Sequence, residues 1–246
     1  MKNQLIRSSI ASATTMAIGA CALATCAMAA TTVPVPNSSF ETPNVTGIAP
    51  YSAQHAASGT PIIGTWVRYG GFAAVVEGGR YGVSPTGLDG TQFGDQTASG
   101  GSGVFQDIAP YDGSGSAAQY WQAGMIYSFT VGVFTRSDNS VVAPDRMDLK
   151  LYSRDTINGA PEVHGFLSVL GSNVTPGSLT DFSFNVTTQA SDAFIGRPIG
   201  VWFDSVSGGT GDWGYDNVRL SSTAVPETSS LMSAALGVLV LFRRRR

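Results

Sequence analysis

The sequence predicts an all-β protein: a single antiparallel β-sandwich, preceded by a signal peptide and followed by a short C-terminal apolar helix. Three observations carry this. Between residues 33 and 220 no segment of convincing length repeats its apolar residues at the helical period, while short alternating runs bounded by Gly, Pro, Asn, Asp and Ser recur throughout. Both cysteines, Cys21 and Cys26, fall in the leader, so the mature chain has no disulfide framework or thiolate metal site. Its stability must come from a packed core, which about 190 residues can supply as one domain.

In chain order, the leader comes first. Lys2 and Arg7 form a basic start, an apolar stretch follows from residue 10 to about 28, and Ala27-Met28-Ala29 offers the two small side chains that a signal peptidase holds. Residues 1–30 are therefore expected to be removed, leaving a mature chain that begins near Thr31. A lipoprotein signal at Cys21 competes, but Ala22, Leu23 and Ala24 continue apolar where a polar tether would begin.

The middle, residues 31–222, is expected to form one domain of about nine strands. Tyr127, Phe129, Val131 and Val133 alternate with Ser128, Thr130 and Gly132. Met147, Leu149 and Leu151 alternate with Asp148 and Lys150, and Phe182, Phe184 and Val186 with Ser183 and Asn185. Each such strand buries one face. Further strands are expected over 62–69, 72–76, 103–108, 166–170, 199–204 and 213–220. A two-sheet sandwich accommodates this number and protects its edges. Residues 94–103 and 111–119, rich in Gly, Ser and Ala, read as mobile surface loops.

Of the 14 basic residues six lie in the leader and at the C-terminus, and all 17 acidic residues lie between, so the exported part carries about −9. That balance disfavours nucleic acid and anionic lipid. His55 and His164 have no metal spacing and no neighbouring nucleophile motif, and no Gly-x-Ser-x-Gly elbow occurs. Asp204, Asp212 and Asp216 cluster in sequence as carboxylates that a glycosidase could use, but solvated loop charges or calcium ligands account for them more simply. Exposed aromatics would suit the apolar faces of sugars. The candidates are Trp202, which alternation turns away from Val201 and Phe203, and Trp121 with Tyr120 in a polar loop context; the core reading competes for each.

The tail, residues 223–246, holds Val225-Pro226-Glu227-Thr228, an apolar segment of about a dozen residues, and Arg243, Arg244, Arg245 and Arg246. A helix of that length reaches ~18 Å against a ~30 Å hydrocarbon core, a marginal span that snorkelling arginines extend. This order resembles the PEP-CTERM sorting signal of Gram-negative bacteria, with Thr228 where that family usually has a second proline. The resemblance implies export through the Sec translocon, transient anchoring in the inner membrane, processing by an exosortase, and delivery to the cell surface or extracellular matrix.

Val35-Pro36-Asn37-Ser38-Ser39-Phe40-Glu41 and Trp213-Gly214-Tyr215-Asp216-Asn217-Val218 resemble the flanks of galactose-binding-like, carbohydrate-binding-module-like jelly-roll domains. That resemblance implies that first and last strands pair, and that a structural Ca²⁺ is held by Glu41 and Asp216 with Asp89 as a third ligand. The competing reading makes Glu41 a solvated turn residue and Asp216 a cap on its own backbone. The expected function is accordingly a non-enzymatic surface or matrix protein binding exopolysaccharide. The alternatives are an adhesion protein acting through protein contacts and a secreted polysaccharide hydrolase or lyase.

Overall fold

The computed structural model describes residues 29–42, 44–45, 65–79, 85–138, 140–141, 144–206 and 209–226. The expected leader before Ala29, His55, and the tail from Glu227 onward, with Thr228, the apolar helix and Arg243 to Arg246, lie outside these residues. Among the described residues no helix is long and apolar enough to cross a membrane.

The described residues form a jelly-roll β-sandwich of eleven strands. These are β1 (Thr31–Val33), β2 (Val67–Tyr69), β3 (Ala73–Glu77), β4 (Gln92–Thr97), β5 (Ser102–Asp107) and β6 (Met125–Thr135). They continue with β7 (Arg146–Ser153), β8 (Glu162–Leu170), β9 (Thr180–Thr187), β10 (Gly200–Ser205) and β11 (Asp212–Ala224). One sheet has the order β3-β4-β11-β6-β9, with β1 also on β11; the other runs β2-β5-β10-β7-β8. All named pairings are antiparallel, and β1 pairs with β11 from Thr31↔Ser222 to Val33↔Leu220, so the two ends of the domain meet.

The alternation of β6, β7 and β10 sends Tyr127, Phe129, Val131, Val133, Met147, Leu149, Leu151, Val201 and Phe203 into the core, all essentially inaccessible. Its centre is aromatic. Phe203 lies 5.0 Å from Trp66 and 4.8 Å from Tyr215, and Phe40 stacks on Trp66 at 5.1 Å. Phe40 reaches this place from the left-handed backbone region (φ 57°), a conformation that costs a bulky residue energy and that its burial offsets. The segment after β1 is fixed by Asn37, whose side chain bonds both the carbonyl and the N–H of Thr42, and by Val218 N–H donating to Ser38. Val218 stands at the register shift of β11 between Asp216 and Arg219.

The expected loop over 94–103 is corrected: β4 runs through its first part to Thr97 and is largely buried, and β5 begins at Ser102. Its inward positions are Gln92, Gly94 and Gln96, which give no apolar alternation. Gln92 replaces hydrophobicity with hydrogen bonds to the Phe40 carbonyl and the Val45 N–H. Gly94 leaves room for the Tyr215 ring, since a Cβ there would stand 2.1 Å from it. The segment 111–119 is a loop, ending in one 3₁₀ turn at Ala117–Gln119.

Candidate active site

The outer face of the five-stranded sheet carries a row of side chains set by strand register. Phe105 pairs with Val67 on one side and Trp202 on the other; Trp202 pairs with Lys150, and Lys150 with Phe166. One step along the strands, Tyr69 pairs with Gly103, Gly103 with Asp204, and Asp204 with Asp148. Two glycines open this face. A Cβ on Gly103 would lie 2.7 Å from the Tyr69 hydroxyl, and one on Gly200 would lie 2.2 Å from the Tyr152 ring, so both phenol rings lie across the neighbouring strand.

The result is a cleft of about 210 Å³ lined by Tyr69, Phe105, Arg154, Pro161 and Trp202. Arg154 and Pro161 come from the connection between β7 and β8. At the cleft's polar edge the Tyr69 hydroxyl donates to Asp204 Oδ1 and accepts from Trp202 Nε1 at 2.8 Å. Lys150 Nζ donates to Asp204 Oδ2 and sits 4.2 Å from the Trp202 ring centroid, a cation–π contact. Burial, reinforced by the Asp204 carboxylate, holds the Tyr69 phenol well above its ordinary pKa, so it remains a neutral donor.

Behind the cleft, Arg154 lies over Phe105 at 4.9 Å and Tyr152 at 5.2 Å. Its Nη1 donates to the Gly159 carbonyl at 2.9 Å, and its Nε stands 3.8 Å from Asp107 Oδ1. The hydroxyls of Tyr111 and Tyr152 converge on the same carboxyl without completing well-formed hydrogen bonds. Burial pushes the Asp107 carboxyl up, with Tyr152, Arg154 and Tyr111 opposing.

The sequence-predicted residues fall in different places. Trp202 is half-buried and forms a wall of the cleft. Trp121 is corrected from exposed platform to core: it is 1 % exposed, Nε1 donates to the Tyr152 carbonyl at 3.2 Å, and Tyr127, Phe194 and His164 surround its ring. Its polar sequence neighbours point elsewhere, Gln119 to the Ile108 carbonyl and Gln122 to that of Ala117. Tyr120 is spent on its own loop, bonding Pro110 and Gly115. His164 stacks on Phe194 at 3.6 Å and meets Ser153 Oγ at 2.8 Å; Ser153 is fully buried, so the pair offers no accessible nucleophile. Asp204, Asp212 and Asp216 separate in space. Asp204 accepts from Tyr69 at the cleft's edge, Asp212 pairs with Arg136, and Asp216 accepts from the Asp89 N–H.

At the expected calcium position, Glu41 Oε1 accepts the N–H groups of Thr91 and Gln92 at 2.8 Å, tying the segment after β1 to β4. Asp216 Oδ2 accepts from Asp89 at 2.7 Å, while its Oδ1 is buried without a partner. Burial drives this carboxyl up to about 7 against the backbone N–H groups of Asp89 and Asn217, with the charges of Asp89 and Glu41 adding to the rise. The orphaned oxygen fits a cation, although no group of three or more His, Cys, Asp or Glu side chains placed to hold a metal is found among the described residues.

The model of one protein family, HpiC1-like, described as HpiC1 cyclase, matches residues 31–221. Among solved structures, a cyclase from Fischerella sp. TAU superposes with TM-score 0.59 at 15% identity, covering 81% of this chain and 100% of that one. The Stig cyclase Fisc from the same organism, in complex with (3Z)-3-(1-methyl-2-pyrrolidinylidene)-3H-indole, gives 0.56 at 14%, covering 80% and 100%. A cyclase from that organism in complex with 4-(1H-indol-3-yl)butan-2-one gives 0.57 at 14%, with the same coverage. At these identities the likeness establishes the shared fold. No curated protein sequence matches the chain. The family match overturns the expectation of a non-enzymatic, exopolysaccharide-binding matrix protein: the family is one of cyclases.

Proposed function

The chain belongs to the HpiC1-like cyclase family, and from that membership we propose that it closes a ring in an aromatic, largely apolar substrate bound on the outer face of the five-stranded sheet. The observation that carries this reading is the Tyr69–Asp204–Lys150 trio at the edge of a cleft walled by Trp202 and Phe105. The aromatic walls stabilise positive charge developing on the substrate during ring closure, as Trp202 already does for Lys150. Two proton donors meet on the Asp204 carboxylate. A proton delivered from this trio to one substrate carbon and returned to it from another gives an isomer of unchanged composition, so no co-reactant is needed. The indole ligands of the Fischerella structures favour an indole-bearing substrate.

The test is incubation with a set of indole-bearing alkenes in D₂O. Isomeric products carrying deuterium at one carbon are expected, with the rate lowered ~10²–10⁴-fold in Asp204→Asn. No isomer from any member of the set, and no binding of the set by calorimetry, would sink the reading.

For Asp216 we propose a structural Ca²⁺ with Glu41 and Asp89 as further oxygen donors, supported by the orphaned Asp216 Oδ1. A melting temperature unchanged by Ca²⁺ or by chelator would remove it. Export through the Sec translocon, signal-peptidase cleavage near Ala29 and exosortase processing near Pro226-Glu227, ending at the cell surface, are likewise proposals. They rest on the sequence of the two ends, and mass spectrometry of the mature termini decides them.

A further inference from the structure

Among the described residues lining the cleft Arg154 is the one that carries a charge, and ring closure as proposed gives it no task. The two cations nearest the cleft, Lys150 and Arg154, are balanced differently. Lys150 is paired twice, with Asp204 and, at 3.9 Å, with Asp148, so its charge is spent within the sheet. Arg154 faces a single carboxylate, Asp107, at 3.8 Å, beyond hydrogen-bond distance, and burial pushes that carboxyl toward its neutral form. The guanidinium is nonetheless held firmly. It lies over the rings of Phe105 and Tyr152 and is anchored through Nη1 to Gly159, with its side chain 11% exposed. These contacts engage only part of a planar donor fork, whose geometry matches a carboxylate. A guanidinium fixed on an aromatic wall and largely removed from water interacts more strongly with an anion than a solvated one does.

We propose that the cleft selects substrates bearing a carboxylate a short linker away from the aromatic ring, that is, arylalkanoic acids, and that Arg154 is the residue that reads this group. The inference rests on the cleft being the substrate site.

Two nearly isosteric probes separate the terms: 3-(1H-indol-3-yl)propanoate and the neutral 4-(1H-indol-3-yl)butan-2-one, titrated calorimetrically into the full chain. The propanoate should bind about tenfold or more tightly than the ketone, corresponding to about 1.4 kcal/mol. Arg154→Gln should erase that preference, read as the ratio of the two affinities within the same variant, and Arg154→Lys, which keeps the charge and loses the fork, should retain only part of it. Because Arg154→Gln also strips a partner from Asp107, its melting curve is compared with wild type; should it fail to fold, Arg154→Lys and the salt sensitivity of wild-type propanoate binding carry the test. Equal affinities, or a preference that survives in both variants, overturn the role of Arg154 while leaving the cleft reading intact. Failure of both probes to bind overturns the cleft reading and this inference with it.

Discussion

Gly200→Ala is the sharpest probe of how the outer face is built. The added Cβ would stand 2.2 Å from Tyr152 Cζ and within 2.5 Å of both Cε atoms. Carbon atoms in contact prefer about 3.5–4.0 Å, so the ring must retreat by ~1.3 Å or more. It has nowhere easy to go, because Tyr152 is fully buried, Arg154 covers it and Trp202 stands at its edge 6.2 Å away. Overpacking of this kind costs about 1–3 kcal/mol, while replacing Gly by Ala at an unstrained position returns roughly 0.4–1 kcal/mol through the unfolded chain. At mid-range values a net loss of ~1–2 kcal/mol follows, which at a urea m-value of about 2 kcal/mol/M lowers the midpoint by roughly 0.5–1 M. The assay is urea unfolding of wild type, Gly200→Ala, Tyr152→Leu and the double variant. In the Tyr152→Leu background the alanine should cost little, since the clash is with the ring. A midpoint that is unchanged or raised by Gly200→Ala alone would refute the proposed packing of Tyr152 across β10.

Two further outcomes are expected. Trp121→Ala should destabilise the domain by ~3–5 kcal/mol, as loss of a fully buried indole does, with the melting temperature falling whether or not ligand is present; a variant as stable as wild type would contradict the core placement. Burial, with the charge of Asp212 adding, pushes the Asp95 carboxyl up to about 8 despite the neighbouring Arg136. Its folded value thus exceeds the unfolded ~3.9, and the folded state keeps a proton that the unfolded chain releases. The stability so gained is complete below about pH 4 and lost as pH rises through about 8. The urea midpoint should therefore fall between about pH 5.5 and 8.5, and Asp95→Asn should flatten that fall; a slope unchanged in the variant would contradict it.

Strands that bury one face through side-chain hydrophobicity were readable from alternation, as in β6, β7, β9 and β10. β4 was not, because its inward residues act through hydrogen bonds at Gln92 and through absence of volume at Gly94. The outward direction of Trp202 followed from Val201 and Phe203 beside it. Its partners did not: Tyr69, Phe105, Lys150 and Arg154 are brought to it by sheet register and by the β7–β8 connection, and no local pattern encodes either. Trp121 failed for the complementary reason. Its polar neighbours describe the loop around it, whereas its burial depends on Tyr127, Phe194 and His164, which only the folded chain supplies. Glu41, Asp89 and Asp216 were named from motif likeness, whereas the donation of the Thr91, Gln92 and Asp89 backbone N–H groups to the two carboxylates depends on the folded chain, and no local pattern encodes it.

The pairing of Thr31–Val33 with the end of β11 has a mechanical side. Residue 30 enters and residue 225 leaves at the same end of an antiparallel pair, with Thr31 opposite Ser222. Tension applied between these two points would not slide the strands past one another, which loads many hydrogen bonds together. It would peel them apart one rung at a time, beginning at Thr31. Pulled by its ends, the domain should therefore open at low force from this seam, with β6 still holding the other edge of β11 as β1 comes away.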